Sequence, residues 1–149
     1  MVISRNRSYL LLVLVIVIDQ LAKLAIQQSL ALNESKVLIP EFLSLTYSTN
    51  TGAIFGMLRG MNTLLILVGL VIVIWLIYYV YAETKSENTS YFFALMLIIG
   101  GAISNLIDRI VYGSVIDFIN FYFWPTFNIA DSAITVGVIA IVIYYMKKS

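Results

Sequence analysis

The chain has 149 residues, 61% of them hydrophobic and 11% charged, with a net charge of +1 and a mean hydropathy of +0.96. A soluble domain carries about 25% charged residues, and a globule this small leaves too much surface in water to hide so many apolar side chains, so a soluble protein is excluded and one membrane-embedded domain over residues 1–149 is expected. Without cysteine or histidine the chain can have no disulfide, no thiol nucleophile, no imidazole base and none of the usual zinc ligands, and no basic block points to nucleic acid.

A helix needs about 20 apolar residues to cross the hydrocarbon core. The first span runs over about 9–27, interrupted by Asp19 and Lys23. Arg5 and Arg7 followed by the apolar run 10–18 mimic a secretory leader. No small-residue cleavage site follows, so a permanent helix is expected. The outer loop 28–60 comes next. In it Leu43, Leu45 and Tyr47 alternate with Ser44, Thr46 and Ser48, a half-buried strand pattern. Val37–Ile39, before Pro40, is a candidate partner, so a small sheet at the membrane surface is expected. The second span covers about 61–81 and carries no charge. The third covers about 91–109. A second outer loop, 110–127, holds the aromatic stretch Phe118–Pro125, whose rings suit the headgroup level. The fourth span covers about 128–146. Four helical spans with a small β element after the first is the fold class that follows.

Lysine and arginine set the orientation. Arg5 and Arg7, then Lys85, then Lys147 and Lys148 fall on one side of an even number of spans; Lys36 and Arg59 fall on the other, with Arg109 at a helix end there. Both termini therefore read as cytoplasmic.

The acids divide by type. All four glutamates lie in polar loops, whereas Asp19, Asp108, Asp117 and Asp131 lie in or beside apolar segments, where an ionisable group is costly and marks function by default. At about 1.5 Å per residue, Asp19 stands about 15 Å above the cytoplasmic start of its helix, Asp108 about 25 Å and Asp131 about 22 Å. Asp117 follows Asp108 by nine residues, so a short excursion returns it to the same level. Counting alone thus brings carboxylates from several segments to the outer half of the bilayer. Each also has a plainer reading. Asp19 and Lys23, one helical turn apart, can neutralise each other; Asp108 and Arg109 can form an interfacial ion pair; Asn128 can cap the fourth helix with Asp131 in its first turn.

Two adjacent carboxylates share a proton, so that one activates water while the other protonates a carbonyl. Asp117 and Asp131 are the candidate pair. A Ser-Lys dyad based on Lys23 is the other hydrolytic option, weakened because Asp19 should hold that lysine protonated.

Five pieces, in order, carry a resemblance: Asp19-Gln-Leu-Ala-Lys23, Asn50-Thr-Gly-Ala-Ile-Phe-Gly56, Gly100-Gly-Ala-Ile-Ser-Asn-Leu-Ile-Asp-Arg109, Val115-Ile-Asp-Phe-Ile119 and Phe127-Asn-Ile-Ala-Asp131. The sequence resembles the bacterial lipoprotein signal peptidases (signal peptidase II), intramembrane aspartyl proteases with four transmembrane helices. The resemblance implies Asp117 and Asp131 as the catalytic dyad. It assigns Asp19, Lys23, Asn50, Gly52, Gly101, Asn105, Asp108, Arg109 and Asn128 to a shell that shapes the site and holds substrate. It further implies cleavage of prolipoprotein signal peptides before a diacylglyceryl-modified cysteine, no metal and no cofactor, membrane lipid as surroundings, and residence in the bacterial cytoplasmic (inner) membrane with the site near the outer leaflet. A monomer is expected. Ala22, Ile54 and Ser104 depart from the residues common in that family; none touches the dyad. The rival readings are a small proton-coupled transporter and a structural membrane subunit.

Overall fold

The computed structural model describes residues 2–52, 60–82 and 89–148. Arg59, Lys85, Glu83, Glu87, the departure at Ile54 and the motif positions 53–56 lie outside the described residues.

The elements in chain order are helix α1 (Val2–Ser29), strands β1 (Ser35–Ile39) and β2 (Leu43–Asn50), helices α2 (Asn62–Ala82) and α3 (Thr89–Tyr112), strand β3 (Val115–Phe121) and helix α4 (Ile129–Lys148). Among the described residues, four helices are long and apolar enough to cross a membrane. They overlap the expected spans 9–27, 61–81, 91–109 and 128–146: α1 and α3 extend beyond theirs at both ends, whereas α2 and α4 begin one residue later, at Asn62 and Ile129. The chain is a multi-pass membrane protein.

Helix α3 is the centre of the bundle, because α1, α2 and α4 all pack on it. Its span is 56% buried, against 17–22% for the other three. Those helices present large apolar side chains outward, such as Val71, Ile74 and Trp75 on α2, which suits a lipid surround rather than water. Helix–helix contact in lipid relies on close packing rather than on the hydrophobic effect, and glycines supply it here. A Cβ on Gly101 would collide with the Ala130 carbonyl of α4, and one on Gly137 would sit 2.7 Å from the Ala94 carbonyl of α3. These two positions let α3 and α4 touch backbone to backbone.

The sheet order is β1-β2-β3, antiparallel throughout. The hairpin β1–β2 was legible as alternation; β3 was not expected. It occupies Val115–Phe121, where an interfacial aromatic loop was anticipated, and it is buried along its first half. Helix α3 also ends later than expected. It runs to Tyr112, and Gly113 (φ 75°) then takes the left-handed conformation that closes helices and turns the chain into β3. Between Leu45 and Ser48 the β2–β3 register slips by one residue: Leu45 faces Ile119, but Ser48 faces Asp117 and Asn50 faces Val115. Bulges re-aim side chains in this way, and this one brings Asn50 to the Asp117 side chain.

Candidate active site

Three helix ends and the sheet meet at one end of the bundle. At its centre lies a buried ion cluster. Lys23 Nζ contacts Asp19 Oδ2 at 2.6 Å and Asp108 Oδ2 at 2.7 Å, with all three side chains at most 1% exposed. Its third proton goes to Asn105 Oδ1 at 3.2 Å, which uses every donor an ammonium has. The expected Asp19–Lys23 pair is present. The expected Asp108–Arg109 pair is not: Asp108 turns inward to Lys23. Sequence adjacency favoured Arg109, but residues i and i+1 do not face each other on a helix, whereas α1 lies directly against α3.

Leaving a buried carboxylate oxygen without a donor is costly, and the cluster leaves none. Ser104 Oγ donates to Asp19 Oδ2 at 2.7 Å and Gln20 Nε2 to Asp108 Oδ1 at 2.8 Å. The two remaining contacts reach backbone. Asp19 Oδ1 accepts the N–H of Ala130 at 2.9 Å, and Asp108 Oδ2 accepts the N–H of Ile116 at 3.0 Å. Ala130 and Ile116 immediately precede Asp131 and Asp117. The Ala130 N–H belongs to the first turn of α4, where helix donors lack intrahelical partners and anions are favoured.

Asp117, on β3, is 3% exposed. Its Oδ1 accepts Asn128 Nδ2 at 2.8 Å and its Oδ2 accepts Asn50 Nδ2 at 3.2 Å. Asp131, in the first turn of α4, accepts Asn105 Nδ2 on Oδ1 at 2.8 Å and the Asn128 N–H on Oδ2 at 3.4 Å. Asn128 is the expected cap: its Oδ1 accepts the Asp131 N–H at 2.8 Å. It therefore touches both carboxylates. Both also line a cavity of about 420 Å³ with Asn50, Gly52, Asn105, Arg109, Trp124, Phe127, Ile134 and Thr135. Burial, and then the neighbouring Asp131, push the Asp117 carboxyl up to about 7, against the opposing pull of Asn50, Lys23 and Asn128.

Arg109 anchors the cavity rim through Gly52, donating from Nη2 to the Gly52 carbonyl at 2.6 Å, while Nη1 is buried without a hydrogen-bond partner among the described residues. Gly101 contributes space, as described. All eleven residues singled out in the sequence thus fall in or directly beneath this site. The Ser-Lys alternative finds no support in its geometry: Lys23 is fully engaged, and the nearby Ser104 is buried and donates to Asp19. Sequence reasoning missed Gln20, whose amide also meets Ser104 Oγ at 3.0 Å. A polar residue beside Asp19 in an apolar span was the available signal. It also missed the cavity wall Trp124–Phe127, of which Trp124 and Pro125 were read as part of the interfacial stretch.

Fold and site together define a membrane-embedded enzyme that gathers two carboxylates in one cavity at an end of its helix bundle. The sequence profile of the signal peptidase (SPase) II family matches residues 11–147. A lipoprotein signal peptidase of Halothermothrix orenii is 38% identical over 140 residues, covering 94% of this chain and 95% of that one. One of Staphylococcus aureus is 38% identical over 146 residues, covering 95% and 89%. Two bacterial membrane enzyme structures determined by the in meso method, at 2.3 and 1.9 Å resolution, superpose with TM-scores of 0.89 and 0.87 at 37% and 36% identity; the first covers 95% of this chain and 88% of its own, the second 97% and 95%. The chain belongs to the signal peptidase II family, A8 among the peptidases, and is a hydrolase of that type.

Proposed function

We propose that the chain is an aspartic endopeptidase that removes signal peptides from prolipoproteins, cutting before a cysteine that carries diacylglyceryl. The observation that carries the reading is that Asp117 and Asp131, from different elements, face one cavity and share Asn128 as a hydrogen-bond partner. The names of the curated relatives support the substrate class.

In this reading one proton resides on the pair. Asp117, whose carboxyl is pushed up to about 7, holds it, and Asp131 is the base. Asp131 takes a proton from water as the water oxygen attacks the scissile carbonyl, and Asp117 gives its proton to the carbonyl oxygen. The tetrahedral intermediate then collapses: the C–N bond breaks, and the proton on Asp131 goes to the leaving amine. The diol proton returns to Asp117 as the new carboxylic acid forms. Asp19, Lys23 and Asp108 hold the backbone beneath, Asn50, Asn105 and Asn128 hold the carboxyls, Gly52 and Arg109 shape the rim, and Gly101 admits α4.

The charge pattern supports both termini on the cytoplasmic side, and the bacterial relatives support a bacterial cytoplasmic membrane. The cavity then opens near the outer leaflet, where a lipid-bearing substrate arrives laterally. The 149 residues act as one membrane-embedded unit, as a monomer among membrane lipids. No cofactor takes part in the steps above.

The test is cleavage of a synthetic prolipoprotein peptide by the purified chain in detergent or lipid. Cleavage on the N-terminal side of the lipidated cysteine is the expected result; equal cleavage of the unlipidated peptide removes the diacylglyceryl requirement, and no cleavage of either removes the reading.

A further inference from the structure

Each of the three asparagines around the paired carboxyls has its amide turned one way by a group that can only donate. The Asn50 oxygen accepts the Gly52 N–H at 3.0 Å, so its NH2 faces Asp117. The Asn128 oxygen accepts the Asp131 N–H, so its NH2 faces Asp117 and is shared with Asn105 Oδ1 at 3.0 Å. The Asn105 oxygen accepts the Lys23 ammonium, so its NH2 faces Asp131. Flipping any of the three would set N–H against N–H. Among the described residues, the hydrogen-bond partners of the Asp117 and Asp131 carboxyl oxygens are all N–H groups: the amides of Asn50, Asn105 and Asn128 and the backbone N–H of Asn128. A proton on either carboxyl finds no acceptor in these three amides.

We propose that Asn50, Asn105 and Asn128 form a donor-only frame, fixed by Gly52, Lys23 and Asp131 respectively, that forces the shared proton to point into the cavity. There it meets the partner carboxyl, the attacking water or the scissile carbonyl. The asparagines are positioning residues: they act on the direction of the proton, not on the substrate. Lys23 belongs to the same device, since it sets the Asn105 amide from the far side. The inference rests on the aspartic-peptidase reading above and adds to it the reason these positions hold amides rather than acids, alcohols or apolar groups.

Asparagine to aspartate is the sharp substitution, because it keeps the oxygen that the fixing donor needs and converts only the dyad-facing atom into an acceptor. Asn50→Asp is the principal variant, at the half-buried sheet rim; Asn105→Asp is the second. Thr51→Asp, exposed one residue away, adds the same charge without facing the dyad. The assay is cleavage of the lipidated peptide across pH, with thermal unfolding measured alongside. The frame predicts that Asn50→Asp lowers kcat by about 100-fold with KM within about threefold, and moves the alkaline limb of the pH profile upward by about one unit. Asn50→Ala, which removes a donor but offers no acceptor, should lose about tenfold less. Thr51→Asp should keep kcat within about threefold, since an exposed charge is well screened.

An Asn50→Asp variant that behaves like Thr51→Asp overturns the frame, as does a change confined to KM. If Asn105→Asp fails to fold, Asn50→Asp alone decides. Failure of the underlying reading is visible separately, as a wild-type chain that does not cut the peptide or an Asp117→Asn variant that still does.

Discussion

The carboxylate of Asp19 on α1 accepts the backbone N–H of Ala130 on α4 at 2.9 Å, and so an acid that looks from the sequence like half of an intrahelical ion pair also holds the turn that carries Asp131. Its counterpart Asp108 does the same for Ile116, next to Asp117. Lys23 joins the two acids.

Removing one member of this cluster strands buried charge, which typically costs about 3–5 kcal/mol. Lys23→Met leaves two carboxylates without their cation, whereas Asp19→Asn leaves the Lys23–Asp108 contact in place. Thermal unfolding in detergent should rank Lys23→Met as the more damaging. The double variant should recover part of the loss. Variants of unchanged stability with no activity would move Asp19 and Lys23 from scaffold to substrate contact.

Gly101 and Gly137 separate packing from chemistry. Both admit α4 to α3, and alanine at either should cost about 1–3 kcal/mol by overpacking. Gly101 abuts Ala130, one residue from Asp131, whereas Gly137 lies further along α4. Activity per folded molecule should therefore fall for Gly101→Ala and hold for Gly137→Ala. Equal losses would show that the α3–α4 approach does not position Asp131.

The raised Asp117 carboxyl makes a stability prediction. Between its ordinary value near 3.8 and about 7, the folded chain keeps a proton that the unfolded chain has lost, so this group's contribution is full below about pH 4 and is lost as pH rises through about 7. Asp117→Asn cannot ionise, so its thermal stability relative to the wild type should rise as pH goes from about 4 to about 8. A difference between the two that does not change with pH would contradict this assignment.

Activity should follow the same proton. The rate should fall as pH rises through about 7, where Asp117 ionises, and fall again at acid pH when both carboxyls are protonated. A rate that climbs steadily into the alkaline range would reopen a lysine base.

The helices were legible because long apolar runs have few other uses, and the hairpin because β2 alternates. Strand β3 was not, because its first half is buried on both faces: Val115 and Asp117 on one, Ile116 and Phe118 on the other. With no solvent face there is no alternation to read. The four aspartates announced themselves by their apolar surroundings. Their long-range partners did not, since the contacts of Lys23 with Asp108 and of Asp19 with Ala130 span 85 and 111 positions of sequence, and only the α1–α3–α4 packing creates them. Asn128 was legible as the α4 cap, which sets its amide; Asn50 and Asn105 were named by resemblance, and their polarity is set by single donors that no sequence pattern reveals.

The central claim, that Asp117 and Asp131 do the chemistry together, is tested most directly by cleavage of the lipidated peptide by Asp117→Asn, Asp131→Asn and the double variant. Asparagine keeps the shape and cannot pass the proton. The account predicts folded proteins, each single variant slowed by about 10⁴-fold or more, and the double variant no slower than either, since residues acting as one unit are not additive. Near wild-type cleavage by either single variant would contradict it.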